Sequence, residues 1–145
     1  MKNVSRVVIV VASLFLGWQL LDYYTYEFSH DGDMAYELNP FVSPDGRYEA
    51  NVYFDNYGGA AGGTNLIVKV KDNEDGKERT IYYGDGKSTW YVKWRDRDVL
   101  GIHNVGDGEN LSTKLIVDEE IYDQNGSACG MYKIKQQYRC KQMES

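Results

Sequence analysis

The chain has 145 residues, with 16 lysines and arginines against 22 aspartates and glutamates, and a formal net charge of −6. With an apolar N-terminal run set aside, about 110 residues remain, enough for one modest core and a single domain. The acidic balance, with no basic patch visible along the chain, argues against a sequence-independent grip on nucleic acid, which needs clustered cations to displace phosphate counterions.

The N-terminal run "VVIVVASLFLGWQLL", residues 7–21, follows Lys2 and Arg6 and holds no charge before Asp22. A cleaved signal peptide needs small residues after its apolar run, and "DYYTYEFSH" offers bulky aromatics instead. No cysteine lies near its end, which excludes a lipoprotein anchor. If Tyr23, Tyr24 and Tyr26 form an interfacial aromatic belt, the segment reaches the roughly 20 residues of a helical crossing. The expectation for residues 1–26 is an uncleaved single-pass signal anchor in the cell membrane. Its basic leading flank places the N-terminus in the cytoplasm and the rest of the chain outside, as in a bacterial envelope protein. A buried core helix is the alternative, disfavoured because the run has no polar face.

Residues 27–40 read as a polar connector, and a β domain is expected over residues 41–123. "SPDG", Ser43 to Gly46, is a tight turn, with Pro44 presetting φ and Gly46 supplying freedom at the exit. "RYEANVYFD" alternates Tyr48, Ala50, Val52 and Phe54 against polar neighbours, a half-buried strand. "NYGGAAGGTN", residues 56–65, joins it to "TNLIVKVKD", whose Leu66, Val68 and Val70 share a face. "NEDGKE" turns the chain into "RTIYYG". "STWYVKW" places Trp90, Val92 and Trp94 on one face and Tyr91 and Lys93 on the other, and "VLGIHN" follows. "KLIVD" is expected to be the last strand of the main sheet. Nothing after Leu21 sustains a helical repeat. The fold class is therefore mainly β: one N-terminal transmembrane helix, then a twisted antiparallel sheet of five to six strands connected mostly by hairpins. The many tyrosines, 13 against four phenylalanines, suit its half-exposed faces, where a ring packs and its hydroxyl meets water.

The order "SPDGRY", a hairpin and then "VKWRDRDVLGI" is similar to one blade of a β-propeller, although without repeats no closed propeller can form. In size and layout the chain resembles the bacterial domain-of-unknown-function family 5412. The resemblance rests on an N-terminal membrane segment, Ser43 to Tyr48, the glycine-rich Tyr57 to Thr64, Trp94 to Ile102 and Leu115 to Asp123. It covers about 80 residues, mostly turn and core positions, so it implies a fold and carries no activity. Residues 124–145, holding both cysteines, lie beyond it. Cys129 and Cys140 are eleven residues apart, and outside the cytoplasm a disulfide is permitted. Two free thiols remain open; half of a metal site is disfavoured without neighbouring histidines.

The chemical motifs fail one by one. "GDGKST" ends like a phosphate loop, but the required leading glycine is Ile81 and a Trp-rich strand follows where a helix is needed. "GGAAGG" has alanine at position 60 and also precedes a strand. An EF-hand loop around Gly76 or Gly108 would take Lys71 or His103 as its first ligand, and neither serves. His30 and His103 are the only histidines; a thiol-imidazole pair of Cys129 and His103 lacks a third, orienting group. Glu119 and Glu120 are adjacent and face opposite ways on a strand. No enzyme, cofactor, metal or nucleotide is expected. The favoured reading is a non-enzymatic binding module of the envelope, contacting a protein partner through Tyr53, Tyr57, Tyr82, Tyr83 and Tyr91 or an open edge strand. The alternative is a small ligand-binding or hydrolytic domain using Asp85, Asp107 and Glu109.

Overall fold

The computed structural model describes residues 2–32, 34–35 and 39–141. Residues 33 and 36–38 of the expected connector and the last four residues of the C-terminal extension lie outside that set. Helix α1 spans Lys2–Thr25, and its stretch Arg6–Thr25 is long and apolar enough to cross a membrane, with none of it buried against the rest of the chain.

Strands β1 (Met34–Ala35) and β2 (Phe41–Val42) both pair antiparallel with β3 (Tyr48–Tyr57), which pairs along its whole length with β4 (Gly63–Asp72). The SPDG turn forms as its chemistry requires. Gly46 has φ 76°, and the Ser43 hydroxyl accepts from the Tyr48 N–H and donates to Asp45 at 2.7 Å. β4 continues into β5 (Glu78–Asp85), with a shift in register between Val68 and Lys69. The chain then leaves this sheet. β6 (Thr89–Trp94), β7 (Val99–Gly106), β8 (Glu109–Asn110) and β9 (Thr113–Ile116) make a second, four-stranded antiparallel sheet centred on β7.

β10 (Glu120–Asp123) returns to the first sheet and lies parallel to β5, with Tyr122 opposite Tyr82. After two short helices, α2 (Ser127–Gly130) and α3 (Tyr132–Gln137), β11 (Arg139–Cys140) adds parallel to β10. The molecule is mainly β with hairpin connections, as expected. The expected single antiparallel sheet is, in detail, a seven-stranded mixed sheet and a second sheet, and "KLIVD" contributes β9 to the second sheet. Both parallel pairings are made by crossover connections, from β5 to β10 through the second sheet and from β10 to β11 through α2 and α3.

Two apolar clusters lie on opposite faces of the first sheet. Between the sheets pack Tyr48, Ala50, Val52, Leu66, Val68 and Val70 against Val92, Leu100, Ile102 and Leu115, with Trp90 and Trp94 at the margin. Each such aliphatic side chain contributes on the order of 1.5–3 kcal/mol by leaving water. The other face is covered by Phe28, Ile121, Ala128 and Ile134, with Tyr26, Tyr83, Met131, Tyr138 and Cys140 packed around them. This explains Ile67, fully buried although it alternates out of phase with Leu66 and Val68. The residues just after α1 form a strap over this face, and α2 and α3 complete a third layer.

That third layer is stapled. Cys129 and Cys140 are joined by a disulfide with Cα atoms 5.8 Å apart. The buried Asp123 carboxylate accepts from the N–H groups of Asn125 and Ala128, holding the turn into α2. Glu119 and Glu120 do part company: Glu119 is exposed and Glu120 buried, its carboxylate accepting from the Ile116 N–H at 3.0 Å.

Candidate functional site

The glycine-rich hairpin tip is a tight structure with its own logic. Gly58 has φ 77°, and a Cβ on Gly62 would sit 1.5 Å from the carbonyl oxygen of Tyr57. A short 3-10 turn, Gly59–Ala61, closes between them. The glycines are therefore required by close approach of the tip to its own backbone.

"GDGKST" is the corner between the two sheets. Asn104, fully buried, donates to the Tyr82 hydroxyl at 2.8 Å and the Asp85 carbonyl at 2.7 Å, while its Oδ1 accepts from the Lys87 N–H at 2.8 Å. Tyr82 in turn donates to the Leu111 carbonyl at 3.0 Å. Burial pushes the Tyr82 phenol well above its usual range, so it stays a neutral donor. Tyr82 is withdrawn from solvent, and its place is in this network, not on a binding surface.

The carboxylates Asp85 and Glu109 meet around Lys87, whose Nζ lies 2.6 Å from Glu109 and 3.7 Å from Asp85. The Glu109 hydrogen bond holds the Lys87 ammonium above its ordinary range. Asp107 sits in the turn before β8 with φ 53°. The ammonium thus stands between the two carboxylates and offsets part of their charge.

The remaining tyrosines separate onto different surfaces. Tyr53 and Tyr83 lie on the strap side of the first sheet. The His30 ring stacks on Tyr83 with centroids 3.8 Å apart, its backbone N–H donates to the Thr80 hydroxyl at 3.3 Å, and the neighbouring Asp31 meets Lys69 at 3.2 Å. Tyr57, 47% exposed, stands at the hairpin tip, and Tyr91, equally exposed, stands on the outer face of the second sheet, stacked on His103. No single face gathers all five.

Two regions, a cleft and a sheet face, each bring several cations together. One is a cleft of about 620 Å³ under the strap, bounded by Glu27, Lys69, Glu78, Arg79, Lys133 and Tyr138. Its cations are already neutralised, Lys69 by Asp31, Arg79 by Asp118 and Lys133 by Glu27. The other is the outer face of the second sheet. Lys93 on β6 and Lys114 on β9 both lie opposite Gly101 on β7, in one row across three strands. The Arg95 side chain lies over that glycine, since a Cβ there would meet its Nε at 2.8 Å. The sequence shows this row only as scattered cations on separate strands, and it becomes a patch when the register is known.

A family model matches residues 2–127, from the apolar helix to the start of α2. The chain belongs to DUF5412, a family of unknown function. The match takes in the apolar helix, the second sheet, the strands of the first sheet other than β11, and the Asn104 corner. It stops before most of α2, α3, β11 and the disulfide. No curated protein and no solved structure matches the chain.

Proposed function

We propose that this protein is a single-pass, membrane-anchored β domain that sits outside the cytoplasm and works by binding rather than by catalysis. The observation that carries the reading is α1: an apolar stretch of 20 residues, wholly unburied, running directly into the strap of a folded domain. Lipid is the solvent that such a surface suits. The basic residues before the apolar run and the acidic ones after it favour a cytoplasmic N-terminus, and the Cys129–Cys140 bond fits an oxidising compartment.

Binding is favoured over catalysis because the groups with chemical capacity have structural partners. Asp85 and Glu109 share Lys87, the His103 Nδ1 lies 3.3 Å from the Ser112 hydroxyl, and Cys129 is bonded to Cys140. The test is accessibility. Protease added outside intact cells should cut residues 40–145; protection until the membrane is opened would refute the orientation. The signal-sequence alternative is read in the same experiment, because a cleaved chain leaves the membrane fraction and begins after Leu21.

A further inference from the structure

We infer that α3 is a second membrane contact, its Tyr132 and Lys135 resting in the headgroup layer of the bilayer that α1 crosses. The β domain then lies against the membrane in one orientation. This deepens the anchored reading above and rests on it.

The argument starts from depth. Arg6–Thr25 is 20 residues long, which as a helix is about 30 Å and matches the hydrocarbon core of a bilayer. The last turn of α1 therefore emerges at the outer boundary of that core. Tyr23 and Tyr24 stand in this turn, at the level where tyrosine rings pack among headgroups. Both contact the ring of Tyr132 on α3, with centroids 6.0 and 5.1 Å apart. The headgroup layer is roughly 5–8 Å deep on each side of a bilayer, so a ring this close to Tyr24 shares its level. Tyr132 is also 42% exposed, and the surface that α1 leaves open there meets lipid.

The connection holds the domain at the same place. The Tyr26 N–H donates to the Asp22 carbonyl at 2.9 Å, so the helical bonding runs on past Thr25. Phe28, three residues after Thr25, is already buried in the domain against Ile121, Ala128 and Ile134. Three residues reach at most about 11 Å. Between the two, Glu27 meets Lys133 of α3 at 2.7 Å. A ring contact, an ion pair and a buried phenylalanine thus fix α3 to the end of α1.

The outer face of α3 has the chemistry of a membrane interface. Residues three and four apart share a helix face, which groups Tyr132 with the exposed Lys135 and Gln136, while Ile134 is buried on the other side. A tyrosine ring packs on apolar groups with its hydroxyl in water, and a lysine lays its methylenes on them and extends its ammonium to phosphate. A water-borne partner would have to enter the headgroup layer to reach this face, so its occupant is lipid. α3 lies beyond residues 2–127, so the family match does not assign this contact.

The experiment uses the full chain in phosphatidylcholine nanodiscs, deuterated except at its tyrosine rings, and reads nuclear Overhauser cross-peaks between those rings and the lipid glycerol and choline protons. Tyr132 should show them, as Tyr23 and Tyr24 do. Tyr91, which is 47% exposed on the outer face of the second sheet, should show none. The proposal is overturned if Tyr132 gives cross-peaks to the Tyr23 and Tyr24 rings and none to lipid, because its role is then packing within the chain. It is equally overturned if Tyr91 and Tyr132 meet lipid alike. Tyr23 and Tyr24 report on the anchor separately: lipid contact at these two with none at Tyr132 removes the second contact and leaves the anchored domain standing, while silence at all three removes both.

Discussion

The two faces of the seven-stranded sheet are covered in different ways. On one, the second sheet supplies Val92, Leu100, Ile102 and Leu115 from strands whose alternation matches the face they cover. On the other, the cover is a strap and two short helices, contributing Phe28, Ala128 and Ile134 from segments without sustained periodicity. The first face holds itself together through many cross-strand contacts. The second depends on a few fixed points: a disulfide, a carboxylate at the start of α2 and an imidazole stacked on tyrosine. The first should therefore unfold only with the whole domain, while the second can open by itself.

The most severe way to break the comparison is to remove a side chain that the whole domain depends on. Leu66→Ala, fully buried between the sheets, should destabilise by about 2–5 kcal/mol and shift the denaturation midpoint of every probe equally. A midpoint that moves only for probes on the strap side would deny that the sandwich is one cooperative unit.

Removing the disulfide with Cys129→Ser and Cys140→Ser should cost roughly 2–3 kcal/mol, as expected for closing a short loop. The effect should be local. Amide exchange should accelerate in α3 and β11 while the β3 and β4 amides keep their protection; uniform acceleration would mean that the two faces are not separable.

On the sandwich side, Asn104→Ala leaves the Lys87 N–H, the Asp85 carbonyl and the Tyr82 hydroxyl short of a partner. A loss of about 1–3 kcal/mol is expected, and an urea melt that matches the wild type would show that the corner tolerates these gaps.

The smallest effect is a pH dependence confined to the strap. Burial lowers the His30 pKa below its ordinary 6.5, against raising contributions from Asp123 and Asp55. The unfolded strap therefore binds the proton more readily than the folded one. Its stability is full above the unfolded value and declines as pH falls through the folded value. Protection factors of the strap amides, corrected for the intrinsic slowing of exchange toward acid, should fall from neutral to mildly acidic pH in the wild type and hold steady in His30→Gln. An equal response in both chains would assign the effect to another group.

Much of the frame was legible in local patterns. The SPDG turn, the alternation of Tyr48, Ala50 and Val52, and the inward set Trp90, Val92 and Trp94 all follow from turn chemistry and period two, and all appear where those rules put them. β10 and β11 were not legible, because four- and two-residue strands carry too little pattern; β10 meets β5 only after the chain crosses back from the second sheet, and β11 meets β10 only after two helices. The binding residues fared similarly. Adjacent Tyr82 and Tyr83 look alike in sequence, yet one is sealed against Asn104 and the other stacks beneath His30.

By itself, the sequence determined the apolar helix, the mainly-β character, the turn positions and the family, because these depend on residue types within a short stretch of chain. Only the tertiary structure decided that the sheets are two, that Cys129 reaches Cys140, that Lys87 neutralises the carboxylates, and that Lys93, Arg95 and Lys114 share one row. Each of these is set by register and by a return of the chain across the sandwich, which bring together residues that no local pattern relates.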